Sequence, residues 1–192
     1  MFFLNKKLVV LYNFKMIEIR IHGRGGQGAV MAAEMLAKAA FYEGHQVQAF
    51  PFFGVERRGA PVESYVRIDN KPIRLRAHIY EPDYLLVFDQ RLFDQVDVFD
   101  GLKKKGLVFA NAVDYKPKNK MITVVVYDMA SVVKKFLGRD IVNTAMVYWF
   151  AQQTGLIKLE NVIKAVKEVF HDRPEILEKN IKLIRELKRE LN

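Results

Sequence analysis

Three glycines in one short stretch have the spacing of a phosphate-binding loop. Gly23, Gly25 and Gly28 form the pattern G-x-G-x-x-G, between a strand-like run that starts at Ile17 and a helix-like run that extends beyond Ala40. Glycines let the backbone approach a bound group closely, and the N-terminus of a following helix attracts anions. The stretch therefore predicts an anion- or ligand-binding loop. Its candidate residues are Gly23, Arg24, Gly25, Gly26, Gln27 and Gly28.

A dinucleotide is one ligand that this spacing fits, but the surrounding residues favour it only in part. Arg24 and Gln27 are larger than a tight pyrophosphate turn needs, and no acid for a ribose follows the second predicted strand near Pro51. The alternation at 17–21 predicts a strand with one buried face, whereas the first strand of a dinucleotide fold is usually apolar on both faces. A stand-alone nucleotide-binding enzyme and a tight turn without a ligand both stay open.

A second motif lies about 30 residues after the first and consists of Glu56, Arg57, Arg58 and Gly59. Two adjacent guanidinium groups in a glycine-bounded loop can hold a phosphate or a carboxylate through paired hydrogen bonds. The same charges could equally form an ion-pair cluster between subunits. The motif therefore predicts either a substrate contact or an interface.

The remaining polar candidates carry weaker signals. The four histidines lack the spacing of a metal site, so we expect no metal on this chain. We expect His22 to bond to backbone, Asp89 to cap the helix after its strand, and Asn143 to start a helix or make a buried contact. Further arginines are expected to be mainly solvated charges or subunit contacts: Arg20, Arg24, Arg67, Arg74 and Arg76. No hydrolase triad, zinc-protease or P-loop pattern is present, and the catalytic residues stay unknown.

The composition limits the chemistry further. The 192 residues include no cysteine, which excludes disulfides, thiolate zinc sites and cysteine-ligated iron–sulfur clusters on this chain. The formal net charge of +9 suits a phosphate-bearing ligand, an acidic protein or nucleic acid, but no nucleic-acid-binding motif is present. No run approaches the roughly 18 apolar residues of a membrane-spanning helix, and we expect a cytoplasmic protein.

The order of the elements predicts an α/β fold. Near-continuous apolar runs at 83–89 and 122–128 are typical of buried strands, and three helices are predicted after residue 140. Residues 62–69 and 71–77, separated by Asp69-Asn70, are expected to pair as a β-hairpin. We predict a three-layer α/β/α domain over residues 16–192, with a mixed sheet, the inserted β-hairpin and a helical C-terminus. Residues 1–15 are expected to be a disordered or loosely packed extension, under the hypothesis that translation normally begins at Met16.

Three stretches of the sequence give the chain a resemblance to a known family: GRGGQG at 23–28, ERRGAPV at 56–62 and PDYLLVFD at 82–89. The chain resembles the gamma subunits of 2-oxoacid:ferredoxin oxidoreductases, most closely those of the pyruvate-using enzymes. The resemblance runs from about Ile17 to the helix that contains Asn143. It implies a subunit of an enzyme that converts pyruvate, coenzyme A (CoA) and oxidised ferredoxin into acetyl-CoA, CO2 and reduced ferredoxin.

The resemblance also implies a division of labour among chains. Thiamine diphosphate, Mg²⁺ and [4Fe-4S] clusters would belong to the alpha, beta and delta subunits, which pass electrons to ferredoxin. This chain would help to complete the thiamine and CoA site and hold the complex together, bind neither nucleic acid nor membrane, and be inactive alone. The alternatives are the stand-alone nucleotide-binding enzyme and a purely structural subunit of an oxidoreductase for 2-oxoglutarate, 2-oxoisovalerate or indolepyruvate.

Overall fold

A computed structural model describes residues 15–52 and 59–191, which contain one six-stranded sheet. The strands are β1 (Ile17–Arg24), β2 (Gln46–Phe52), β3 (Pro61–Asp69), β4 (Tyr84–Val87), β5 (Leu107–Asn111) and β6 (Thr123–Tyr127). Their order across the sheet is β2-β3-β1-β4-β5-β6. β1, β4, β5 and β6 run parallel, while β3 is antiparallel to β1 and to β2. The predicted α/β class and mixed sheet are confirmed.

One face of the sheet packs against the helices. These are α1 (Ala29–Tyr42), α2 (Met129–Leu137), α3 (Asn143–Thr154), α4 (Leu159–Val169) and α5 (Pro174–Glu190). Side chains from all five helices join one apolar core with Ile17, Ile19 and Ile21 of β1. The predicted helical C-terminus is confirmed. No helix in the described part of the chain is long and apolar enough to cross a membrane.

The predicted hairpin of residues 62–69 with residues 71–77 is wrong in its partner. β3 pairs on one side with β1, where Ile17 lies opposite Ile68, and on the other side with β2, where Gln46 lies opposite Asp69. Both edges of β3 are therefore occupied, and residues 70–83 contain no strand. The antiparallel pair at this end of the sheet is β2 with β3.

The opposite face of the sheet is covered by a 3-10 helix (Gln90–Asp94) and by coil rather than by α-helices. At the β4–β5 side, an apolar core that includes Leu85, Val87 and Val108 packs against residues of the 3-10 helix and the following loops. At the β1–β3 side, the sheet presents polar side chains to the coil of residues 70–83. On this face the outer layer therefore consists of a 3-10 helix and coil, whereas the sequence predicted α-helices.

Two arginines that were expected to be solvated or to contact other subunits are buried beneath this coil. Arg67 is fully buried; it donates to Glu18 at 2.9 Å and to the carbonyl oxygen of His78 at 3.1 Å. Arg20 is 5% exposed and donates to the carbonyl oxygens of Val98 at 3.1 Å and Asp100 at 2.6 Å. The alternation in β1 therefore marks an apolar face and a buried polar face, so the prediction of one buried face was wrong. Arg74 and Arg76 are exposed, as expected for solvated charges.

Candidate functional site

The predicted ligand-binding loop, residues 23–28, connects the end of β1 to the start of α1 and will be called the glycine loop. Gly26 and Gly28 adopt left-handed backbone conformations, with φ of 95° and 80°. A Cβ atom on Gly28 would lie 2.6 Å from the Nδ2 atom of Asn143, which is buried at the start of α3. Glycine is therefore required at position 28 both by its backbone conformation and by the close approach of α3.

The glycine loop leads directly into the N-terminus of α1. Gly28 is the N-cap residue, no side chain caps the helix, and its first turn contains no acidic residue. The free N–H groups and the helix dipole give this end a partial positive charge, which favours an anion. The local structure thus suits the anion-binding role predicted for the loop, a role that stays a prediction.

The second motif ends directly against the glycine loop. The backbone N–H of Gly25 donates to the carbonyl oxygen of Ala60 at 2.9 Å, and the N–H of Gly59 donates to the carbonyl oxygen of Gly25 at 3.1 Å. Residues 59–60, here called the return segment, therefore pair with the loop as a short two-stranded ladder. Glu56, Arg57 and Arg58 lie outside the described residues.

The two large side chains of the glycine loop bind to the protein itself. Arg24 donates through Nη1 to the carbonyl oxygen of Gly59 at 2.9 Å and through Nη2 to Oε1 of Gln95 at 2.7 Å. Gln27 accepts from the backbone N–H of Arg24 at 2.8 Å and donates to Oδ2 of Asp89 at 3.3 Å. These contacts explain why residues too large for a tight pyrophosphate turn occupy these positions.

Asp89 links the glycine loop to the neighbouring strand. It follows β4, whose C-terminal end lies beside that of β1, and it caps the 3-10 helix by accepting from the backbone N–H of Arg91 at 3.0 Å, as the sequence suggested. Oδ2 also lies 3.1 Å from Nε of Arg24. Hydrogen bonds from Arg91, with the charge of Arg24 as a smaller cause, lower the pKa of Asp89 to about 2. The carboxylate is thus ionised at neutral pH.

His22 lies in β1 immediately before the glycine loop and is 2% exposed. Its Nε2 accepts from Nε of Arg20 at 3.0 Å, and its Nδ1 lies 3.4 Å from Oε1 of Glu63. Burial, with the charge of Arg20 as a second cause, lowers the pKa of His22 to about 3, so the ring is neutral at physiological pH. The hydrogen on Nδ1 then faces Glu63. The expected bond to backbone is wrong, because the partners are side chains.

Glu63 is a residue that the sequence did not single out. It lies in β3 and accepts from the hydroxyl of Tyr65 at 2.6 Å as well as facing His22. The register of β1 against β3 places His22 opposite Glu63 and Arg20 opposite Tyr65. A cross-strand signal of this kind requires knowledge of the pairing, which the local sequence does not supply.

The described residues offer little to a metal ion, and they form an apolar groove on the outer side of α1. Within residues 15–52 and 59–191, no group of three or more His, Asp or Glu residues could hold a metal. A largely apolar groove of about 530 Å³ lies between α1 and β2, with Ala33, Phe41 and Val47 among its lining residues. The polar candidates and this groove are therefore separate features.

Comparison with known proteins identifies a family. The sequence pattern described as pyruvate ferredoxin/flavodoxin oxidoreductase matches residues 18–188. The "Pyruvate/ketoisovalerate oxidoreductases common subunit gamma" of Pyrococcus furiosus is 51% identical over 177 residues, covering 89% of this chain and 95% of that protein. The "Pyruvate synthase subunit PorC" of Methanothermobacter marburgensis is 54% identical over 156 residues, covering 81% and 87%.

Solved structures agree with this assignment. The pyruvate oxidoreductase subunit PORC of Thermotoga maritima superposes with a TM-score of 0.75 at 32% identity, covering 90% of this chain and 94% of that one. The 2-oxoglutarate:ferredoxin oxidoreductase of Magnetococcus marinus shares the fold, with a TM-score of 0.76 at 18% identity. The superposition covers 91% of this chain and 31% of that one. The chain thus belongs to the pyruvate ferredoxin/flavodoxin oxidoreductase family.

Proposed function

We propose that the chain is the gamma subunit of a multi-subunit oxidoreductase that converts pyruvate, CoA and oxidised ferredoxin into acetyl-CoA, CO2 and reduced ferredoxin. The family match over residues 18–188 and the relatives named as gamma or PorC subunits support this function. Those relatives are matched over 95% and 87% of their own lengths.

The redox chemistry belongs to other subunits in this proposal. The chain has no cysteine, so it lacks the usual ligands of an iron–sulfur cluster, and its described residues lack a carboxylate or histidine group for a metal. The chain therefore does not fit an iron–sulfur cluster, and its described residues do not fit the Mg²⁺ of thiamine diphosphate. The alpha, beta and delta subunits hold these groups and deliver electrons to ferredoxin.

The role of this chain is to supply an anion-contacting surface at the CoA site. The observation that carries this role is the pairing of Gly25 with the return segment beside the uncapped N-terminus of α1. The pairing brings the GRGGQG motif and the end of the ERRG motif together on one surface. CoA carries several phosphate oxygens, which a helix N-terminus and arginine side chains bind well.

The choice of 2-oxoacid is assigned to the partner subunits. The Pyrococcus furiosus relative is named as common to pyruvate and ketoisovalerate oxidoreductases. A gamma subunit that serves both enzymes does not itself select the 2-oxoacid side chain. The alternative of a stand-alone nucleotide-binding enzyme has no comparable support, because the relatives are subunits.

Replacing Arg57 and Arg58 together by Ala in the reconstituted complex tests the CoA role. We expect the complex to assemble and the KM for CoA to rise about tenfold, with a smaller change in the KM for pyruvate. The matched control replaces Arg74 and Arg76, an exposed pair in the coil of residues 70–83. Loss of assembly in the first variant would favour the interface role for Glu56, Arg57 and Arg58. An unchanged KM for CoA with intact assembly would contradict the CoA contact.

A further inference from the structure

The guanidinium of Arg24 hydrogen-bonds within the chain through both of its terminal nitrogens, although the sequence placed this residue among the ligand-binding candidates. Nη1 donates to Gly59 O at 2.9 Å and Nη2 donates to Gln95 Oε1 at 2.7 Å, while Nε lies 3.1 Å from Asp89 Oδ2 as an ion pair without a hydrogen bond. The side chain is 15% exposed. Because both terminal nitrogens already donate within the chain, Arg24 is poorly placed to hold a ligand as well.

These partners belong to the return segment and to the two ends of the 3-10 helix. Gly59 is in the return segment, Gln95 is the C-cap residue of the 3-10 helix, and Asp89 is its N-cap residue at the end of β4. Arg24 itself ends β1. A planar guanidinium can donate to Gly59 and Gln95 from two nitrogens in a fixed fork while its charge faces Asp89, whereas the single ammonium of a lysine cannot reproduce this geometry.

Arg24 also lies next to the backbone ladder between the loop and the return segment. Gly25 makes both hydrogen bonds of this ladder, at 2.9 Å and 3.1 Å. The Nη1 bond of Arg24 to Gly59 O adds a side-chain contact to the same short segment. These two hydrogen bonds extend the β1–β3 ladder beyond its last pair, Arg24 with Pro61, and the Nη1 bond holds the carbonyl of Gly59 at the free end of this extension.

We propose that Arg24 is a positioning residue that holds the return segment on the glycine loop, and that it does not itself bind the ligand. By fixing residues 59–60, Arg24 sets the shape of the loop backbone at the N-terminus of α1. The clamp follows from this chain's own contacts; only the identity of the ligand, CoA, rests on the proposed function. Geometry rather than charge is then what the residue supplies.

Two substitutions in the reconstituted complex separate geometry from charge. Arg24→Lys keeps the charge but loses the fork, and Arg24→Met loses both. We expect both variants to exchange the amide hydrogens of Gly25 and Gly59 at least tenfold faster, measured by mass spectrometry on peptides from these segments. We also expect both to raise the KM for CoA roughly tenfold while kcat changes less than about twofold, since a misplaced binding surface weakens binding.

Arg91→Ala is the matched control. Arg91 also binds Asp89, through Nη2 at 2.5 Å, but its side chain is 68% exposed and it makes no hydrogen bond or ion pair with the return segment. We expect near-wild-type exchange at Gly25 and Gly59 in this variant. Equal acceleration in Arg91→Ala would overturn the inference, because the effect would then arise from the loss of Asp89 contacts.

The two readouts distinguish failure of the clamp from failure of the proposed function. Unchanged exchange at Gly25 and Gly59 in both Arg24 variants would overturn the inference. A normal KM for CoA in Arg24→Lys together with a raised KM in Arg24→Met would also overturn it, because charge would then be sufficient, as for a ligand contact. Faster exchange with an unchanged KM for CoA in both variants would uphold the clamp and contradict the proposed CoA role.

Discussion

His22 and Asp89 flank the glycine loop, and the folded protein lowers the pKa of both side chains below their ordinary values. The pKa of His22 is lowered to about 3, chiefly by burial, so the folded state keeps a neutral ring that the unfolded chain would protonate below pH 6.5. The pKa of Asp89 is lowered to about 2, chiefly by Arg91. Both groups therefore cost stability as pH falls, His22 between about 6.5 and 3 and Asp89 between about 3.8 and 2.

Replacing His22 by Gln is expected to flatten the upper part of this pH dependence. Gln can accept from Arg20 and donate to Glu63 without a titrating ring. Between pH 7 and pH 5 the wild-type chain should lose about 2 kcal/mol of unfolding free energy through His22, and the variant should lack this loss. Urea unfolding at the two pH values measures the difference. An equal loss in both proteins would show that His22 is not held neutral in the folded state.

Gly28→Ala is expected to destabilise the protein more than Gly26→Ala. Both positions have left-handed φ values, but a Cβ at 28 meets Asn143, whereas a Cβ at 26 meets nothing within 4 Å. We expect a loss of about 1 kcal/mol for Gly26→Ala and about 3 kcal/mol for Gly28→Ala, measured by urea unfolding. The cost of Gly28→Ala in unfolding free energy should be smaller in an Asn143→Ala background than in the wild-type background, because the clashing side chain is then absent. Equal costs at 26 and 28 would contradict the close packing of α3 on the loop.

At the scale of single residues, local signals in the sequence were enough to predict the tight turn at the glycines and the capping role of Asp89. They were not enough for Arg20, Arg67 or His22. The partners of these residues lie on neighbouring strands or in distant loops, as with Arg20 and Asp100. An alternating polar residue in a strand looks solvated unless the layer that covers it is known.

The coil of residues 70–83, which crosses the polar face of the sheet, is the element for which the prediction from the sequence was wrong. Side chains of the sheet hold its backbone: Gln48 donates to the carbonyl oxygen of Leu75 at 2.9 Å, and Arg67 donates to that of His78 at 3.1 Å. These bonds replace the ladder that a second hairpin strand would have formed. The helices and the other strands can be predicted from the periodicity of the sequence, which is local. Residues 70–83 form no strand because both edges of β3 are already paired.

Arg67→Met is expected to loosen this coil. The change removes a fully buried cation from Glu18, Gln48 and the backbone of His78. Glu18 keeps Lys103 at 3.6 Å, so we expect the lower end of the range for breaking a buried pair, about 3 kcal/mol of unfolding free energy. Urea unfolding, with the exposed Arg74→Met as control, measures the loss. A cost below about 1 kcal/mol would contradict the view that Arg67 anchors the coil.

For the whole molecule, the sheet brings the candidate residues to one edge. The glycine loop follows β1 and Asp89 follows β4, and these parallel strands are neighbours. The return segment leads into β3, which is antiparallel to β1, and so it starts at the same edge. The sequence predicted the glycine loop and the family, but the meeting of the two motifs depends on strand order, which no local pattern encodes.

The most direct test of the account is add-back of this chain to the other subunits of the oxidoreductase, with pyruvate- and CoA-dependent reduction of ferredoxin as the readout. The account predicts no activity from this chain alone, little acetyl-CoA formation from the other subunits alone, and full activity when they are combined. Reduction of ferredoxin by the isolated chain, or full acetyl-CoA formation by the complex without it, would contradict the central claim.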